Sequence, residues 1–193
     1  MTESKVFHQW VRATWAGWVL GVPFVIALAL IGEAVGIGGV QVLVGVGMGA
    51  GIGLMQGRAI RSVLHRVAPW FWSCVVGLGL PFLAWDIAKA ARWDFPYSLY
   101  ISVALGGLIV GIWQAFLLRS HLHSTGWWVV ASVVGWNLAA GTAAIADGLS
   151  RSRSLRGLWG ALAYLGIIAG GGLILGLVTG ITLVWLLRQK PAG

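Results

Sequence analysis

Charge is scarce in this chain, and acid scarcer still: 9% of its 193 residues are charged, with five Asp or Glu against thirteen Lys or Arg. A soluble domain carries about a quarter charged residues, so an ordinary water-facing surface is excluded. The single cysteine, Cys74, lies inside an apolar run, which rules out an intramolecular disulfide and points to a buried thiol. No P-loop, HExxH or GxSxG pattern occurs, nor a membrane-embedded acid–base pair. The stretch GVGMGAG (45–51) offers glycines for a dinucleotide, but that fingerprint needs a preceding strand and a soluble fold. No catalytic dyad is therefore expected, no metal or other cofactor is assigned, and an enzyme is the less favoured class.

What is abundant is apolar: 59% of residues are hydrophobic, mean hydropathy is +0.88, and there are thirteen Trp and thirty Gly. This is the composition of an integral membrane protein, and the aromatic content fits rings collected at the membrane interfaces. The net charge of +8 is not a nucleic-acid signal, because the basic residues sit in short breaks between apolar runs. The first apolar run, Trp15 to Ile31, continues into a Gly-rich break with no cleavage site, and reads as a retained helix.

A helix crosses about 30 Å of hydrocarbon with about 20 residues. Six such runs occur, near 13–32, 38–58, 69–89, 98–118, 127–147 and 160–187, leaving a single all-α transmembrane domain over 1–193. An even number of spans places both termini on one side. With the termini inside, the inner set holds Lys5, Arg12, Arg58, Arg61, Arg66, Arg119, Arg188 and Lys190, against Lys89, Arg92, Arg151, Arg153 and Arg156 outside. The positive-inside rule favours cytoplasmic termini, in a bacterial cytoplasmic or other internal membrane.

Shifted by 58, residues 49–80 match 107–138 at 12 of 32 positions, including Gly49/Gly107, Gly53/Gly111, Gln56/Gln114, Arg61/Arg119, His65/His123, Trp70/Trp128 and Gly77/Gly135. Chance would give about three. GVPF (21–24) matches GLPF (79–82) at the same shift, and GGLILG (171–176) matches GGLIVG (106–111) at a shift of 65, which puts Thr179 in the place of the glutamines. WLLR (185–188) matches FLLR (116–119) at a shift of 69, so four residues are inserted in the last helix. A Trp-bearing helix followed by a Gly-bearing helix thus recurs three times, near 10–62, 66–120 and 124–188, which predicts a six-helix bundle with approximate threefold pseudosymmetry.

Residues four apart share a helix face. Gly45, Gly49, Gly53 and Gly57 make one smooth stripe, Gly107 and Gly111 a second, and Gly172, Gly176 and Gly180 a third. Close packing over small residues is the main attraction open to helices in lipid, and overpacking at Gly53 or Gly111 is expected to cost more than loss of the Gln56 amide. Gln56, Gln114 and Thr179 are candidates either for interhelical hydrogen bonds or for a small polar site near the pseudo-axis. Arg61, Arg119 and Arg188 end the Gly helices, suited to helix C-termini and anionic head groups. His65, His121 and His123 read as interfacial histidines rather than a metal set. Asp86 and Lys89 have the spacing of an ion pair, Glu33 lies near the same boundary, and Asn137 is expected to bond across helices.

Aromatic belts account for Trp10, Trp15, Trp70, Trp72, Trp127, Trp128 and Trp185 at the inner boundary and for Trp85, Trp93, Tyr97, Tyr100 and Trp159 at the outer one. Trp113 and Trp136 fit the belts least well and are candidates for lining a pocket for a flat ligand.

GIWQAFLLR (111–119) followed by STGWWVVASVVGW (124–136) resembles bacterial multi-pass membrane proteins that carry a G-x-x-Q-x-x-x-L-R segment and then a GWW-x-x-x-S-x-x-GW segment. The resemblance implies a membrane location and a repeated helical design, and no activity. Three two-helix repeats are also a feature of mitochondrial carriers, but their P-x-[DE]-x-x-[KR] signature is missing. The expected function is a membrane accessory or scaffold protein that holds a lipid, quinone or pigment between its helices. Its expected partners are membrane lipid and either a membrane protein complex or a second copy bound through glycine faces. The rival is a small transporter or channel with a path along the pseudo-threefold axis, which a dry centre would oppose.

Overall fold

The computed structural model describes residues 3–64, 67–93, 98–152 and 157–189. Among them are six α-helices: α1 (Glu3–Ala34), α2 (Val42–Ala59), α3 (Ala68–Ala90), α4 (Ser98–Leu118), α5 (Gly126–Arg151) and α6 (Gly157–Arg188), with a 3-10 turn, Ile60–Ser62, after α2. All six are long and apolar enough to cross a membrane. His65, Arg66, Tyr97, Arg153, Arg156 and Lys190, singled out in the sequence, lie outside the described residues.

Most span ends fall within a few residues of expectation, because Pro, Gly and charge mark them. α1 is the exception, starting at Glu3 rather than near residue 13. Its first three turns hold Val6 and Trp10 against the core, and Glu3 accepts a hydrogen bond from Arg188 Nε at 2.8 Å. α6 runs unbroken to Arg188, and its last turn meets the extended α1 where Arg188 bonds Glu3.

Each helix packs against its neighbours in sequence, and α6 closes onto α1, so the helices form a ring. Its outside is apolar from end to end: Ile26, Leu80, Ile112, Leu138, Leu162 and Ile181 are all exposed. An exposed apolar surface on five of the six helices, with Arg58 the one exposed residue of α2, is the surface of a chain solvated by lipid.

The glycine stripes face inward along the ring. A Cβ at Gly45 would fall 2.6 Å from the Leu78 carbonyl oxygen, and one at Gly53 2.9 Å from that of Phe71, so α2 rests on α3 almost without spacer. Gly107 and Gly111 set α4 on α5 at Val133 and Val129 in the same manner, while Gly172, Gly176 and Gly180 set α6 on α1 at Trp18, Val11 and Phe7. Gly17 on Gly51, Gly77 on Val110 and Gly135 on Leu175 close the remaining seams. Eight of the nine stripe positions, Gly49 included, therefore lie against other helices of the same chain, while Gly57 meets Val67 just before α3.

Asp86 does not pair with Lys89. Its carboxylate reaches from α3 to the start of α2 and accepts from the backbone N–H groups of Gln41, at 2.8 Å, and Val42, at 2.7 Å. Those donors have no partner within α2, and a negative charge at a helix N-terminus is favourable. Gly36 and Gly39, with φ of 78° and 77°, take the left-handed turns that bring the chain to this point. Asp86→Ala is expected to lower stability by about 1–2 kcal/mol, as loss of a helix cap does, while Lys89→Ala stays within about 0.5 kcal/mol. Thermal melts in detergent compare the two, and equal losses would return Asp86 to the ion pair.

Candidate functional site

Three tryptophans fill the middle of the ring near the end that carries both termini. Trp10 on α1, Trp70 on α3 and Trp128 on α5 are 1%, 0% and 1% exposed, so they are core residues rather than members of a belt. Their rings meet edge to face, with centroids 5.8 Å (Trp10–Trp70), 5.6 Å (Trp10–Trp128) and 5.8 Å (Trp70–Trp128) apart. Such pairs add about 0.5–1.5 kcal/mol each beyond the area they bury.

Each indole donates its N–H to one of the polar residues expected at the centre. Trp70 Nε1 donates to Gln56 Oε1 at 3.3 Å, Trp128 Nε1 to Gln114 Oε1 at 3.0 Å, and Trp10 Nε1 to Thr179 Oγ1 at 2.9 Å. The glutamine amides are used on their other side as well, Gln56 Nε2 donating to Thr14 Oγ1 at 3.1 Å and Gln114 Nε2 to Cys74 Sγ at 3.2 Å. Thr179 Oγ1 donates to the Leu175 carbonyl at 2.6 Å, and Ser132 Oγ to that of Gly107 at 2.8 Å. Among the described residues no buried side-chain nitrogen or oxygen lacks a partner. The polar groups thus bond the indoles and the layer beside them.

Above and below this plug the ring is less filled. On the side away from the termini lies an apolar chamber of about 170 Å³, to which every helix contributes: Trp18 and Val22, Met48, Leu78 and Phe82, Val103, Trp136 and Ala140, and Ile168. Trp18 and Trp136 lie against each other there, with ring centroids 6.0 Å apart. On the termini side a recess of about 360 Å³ reaches Trp10 between Ile60, Val63, Leu183 and Leu187, with Glu3 and Gln9 at its rim.

The remaining candidates divide. Trp136 lines the chamber, whereas Trp113 is half-buried and does not. Arg61 and Arg119 are exposed at the termini end, Arg119 with its guanidinium carbon 3.5 Å from the centre of the Phe116 ring, while Arg188 is engaged by Glu3. His121 bonds Ser120 and His123 is exposed; no set of three metal-ligating side chains occurs among the described residues. Asn137 does not bridge helices, because its amide donates to the Val133 carbonyl one turn back on α5 at 2.9 Å. Trp15, Trp72, Trp127 and Trp185 are exposed at the termini end, as a belt requires, and Trp93, Tyr100 and Trp159 at the other.

The central indoles were missed as a set, although a signal existed: Trp70 follows Gln56, and Trp128 follows Gln114, by the same 14 residues. Trp10 joins them at a shift of 60, whereas the match of GVPF with GLPF would set Ala68 in its place. Thr14, Cys74 and Ser132, each four residues after its tryptophan, form the next buried layer. Comparison of the chain with protein-family models, curated proteins and solved structures finds no match.

Proposed function

We propose that this chain is a membrane accessory protein that holds the hydrocarbon end of a lipid-like molecule in the chamber between its helices. The observation that carries this reading is the chamber itself, a space lined by apolar side chains from all six helices. An apolar cavity of about 150 Å³ stays dry and takes up benzene, so a space of about 170 Å³ suits a few carbons of an acyl or isoprenoid chain. A head group finds no polar partner inside and stays at the mouth.

Approximate threefold pseudosymmetry belongs to the same proposal, supported by the nearly equal spacing of three indoles that each bond a residue on a Gly helix. The charge bias assigns the termini to the cytoplasmic side of a bacterial membrane, which sets the chamber in the opposite leaflet. The test is mass spectrometry of an organic extract of the gently purified protein against bulk membrane lipid. One quinone, pigment or particular lipid should be enriched, and Ala143→Phe, which fills the chamber wall, should lower its occupancy about tenfold without loss of fold. An extract identical to bulk lipid removes the reading.

The second reading, a transporter or channel, is favoured by the recess on the far side of the plug. In it the three indoles are a closed gate, and solute flux through proteoliposomes is the measurement.

A further inference from the structure

Two arginines at the termini end fall in one groove. Arg12 on α1 and Arg58 on α2 line this groove of about 340 Å³ on the lipid-facing side of the ring, with Gln9 beside them and Ala13, Ala16, Ala59 and the flexible side chain of Met55 as its floor. Both are exposed, and the pair has no carboxylate at salt-bridge distance among the described residues; Arg58 makes one weak contact, from Nη1 to Met55 Sδ at 3.4 Å. Arg188, by contrast, has Glu3. Two like charges sharing a cleft repel unless a counter-ion sits between them, and guanidinium groups present paired donors that fit phosphate oxygens. Alanines in place of larger side chains leave the apolar floor open just where an acyl chain would descend.

We propose that this groove binds an anionic phospholipid, its phosphate diester held between Arg12 and Arg58 with Gln9 as a further donor and one chain laid along the α1–α2 seam. The charge supplies the preference for an anion, and the apolar floor at membrane depth selects a lipid over free phosphate. This site lies on the outside of the ring and is independent of the central chamber.

The test is native mass spectrometry of the full chain in detergent, titrated with phosphatidylglycerol and with phosphatidylcholine. Phosphatidylglycerol should bind about 25-fold more tightly, since each of the two basic residues near an anionic head group contributes about fivefold. Arg12→Gln and Arg58→Gln should each lose about fivefold of that affinity, the double variant should bind both lipids alike, and Lys5→Gln, which removes the same charge from α1 outside the groove, should change it less than about twofold. Millimolar inorganic phosphate should leave the bound lipid in place. Equal binding of the two lipids by the unmodified protein, arginine variants that keep the preference, or a Lys5→Gln loss as large as theirs each overturn the site. Displacement by inorganic phosphate overturns it in favour of a free-anion site. Elution of every variant as the same species on size exclusion establishes that the fold is intact, and phosphatidylcholine affinity serves as the internal reference.

Discussion

Gly49→Ala, the addition of one methyl group, is expected to destabilise the bundle by about 3 kcal/mol or more, at the top of the range for overpacking. A Cβ at Gly49 would collide with the carbonyl oxygen of Cys74, and would lie 2.8 Å from the carbonyl carbon of Cys74 and 2.8 Å from Val75 Cα. Those atoms are the backbone of α3, so no side chain can rotate away, and relief requires the two helices to separate along the whole seam. Gly166→Ala makes the same chemical change where nothing lies within 4 Å. It should be neutral or stabilising by up to about 1 kcal/mol, the ordinary helix preference for alanine. Thermal unfolding in one detergent compares the two directly. A Gly49→Ala protein that melts with the unmodified one would mean that α2 and α3 do not meet at this face.

That pair of glycines also shows how far the sequence could be read. The four-residue spacing of Gly45, Gly49 and Gly53 identified a packed face from periodicity alone, but the partner of that face is a property of the ring and was not on the page. Asp86 illustrates the same limit: Lys89, three residues on, was the visible partner, and the actual one is a helix start more than forty residues earlier in the chain. Of the chamber only Trp136 was legible, because a cavity is an absence of atoms between helices and its other walls are ordinary apolar residues. Trp10 was hidden for a topological reason, since its hydrogen-bond partner Thr179 stands 169 residues away and becomes a neighbour when α6 closes onto α1.

The interior tryptophans were placed in a belt because indoles are common at membrane interfaces. Repetition separates the two populations: Trp70 and Trp128 occupy matched positions, whereas exposed Trp72 matches Val130, and exposed Trp127 matches Pro69. A lipid-facing ring tolerates drift, while an indole wedged against two others and bonded to a buried amide does not. Loss of the Gln56 amide breaks two bonds at once, since its carbonyl oxygen is the acceptor of the Trp70 N–H and its amide bonds Thr14.

Trp128→Ala should have the largest effect of any single truncation, about 3–5 kcal/mol, as removal of a fully buried Trp does. It deletes two edge-to-face contacts, leaves Gln114 Oε1 without its donor and opens a void at the centre of the ring. Trp128→Phe keeps most of the ring and removes the N–H, so its cost isolates the hydrogen bond, about 1–3 kcal/mol when a buried partner is left unsatisfied. Adding Gln114→Leu to Trp128→Phe should then cost less than the sum of the single changes, because both halves of one bond are gone. The same variants separate the two functional readings. If the indoles are only core packing, proteoliposomes carrying Trp128→Phe stay as tight to small polar solutes as those with the unmodified protein, and lipophile occupancy is what changes. If the indoles are a gate, loosening one of them opens the path, and solute flux rises while the hydrogen-bond coupling measured by melting remains the same.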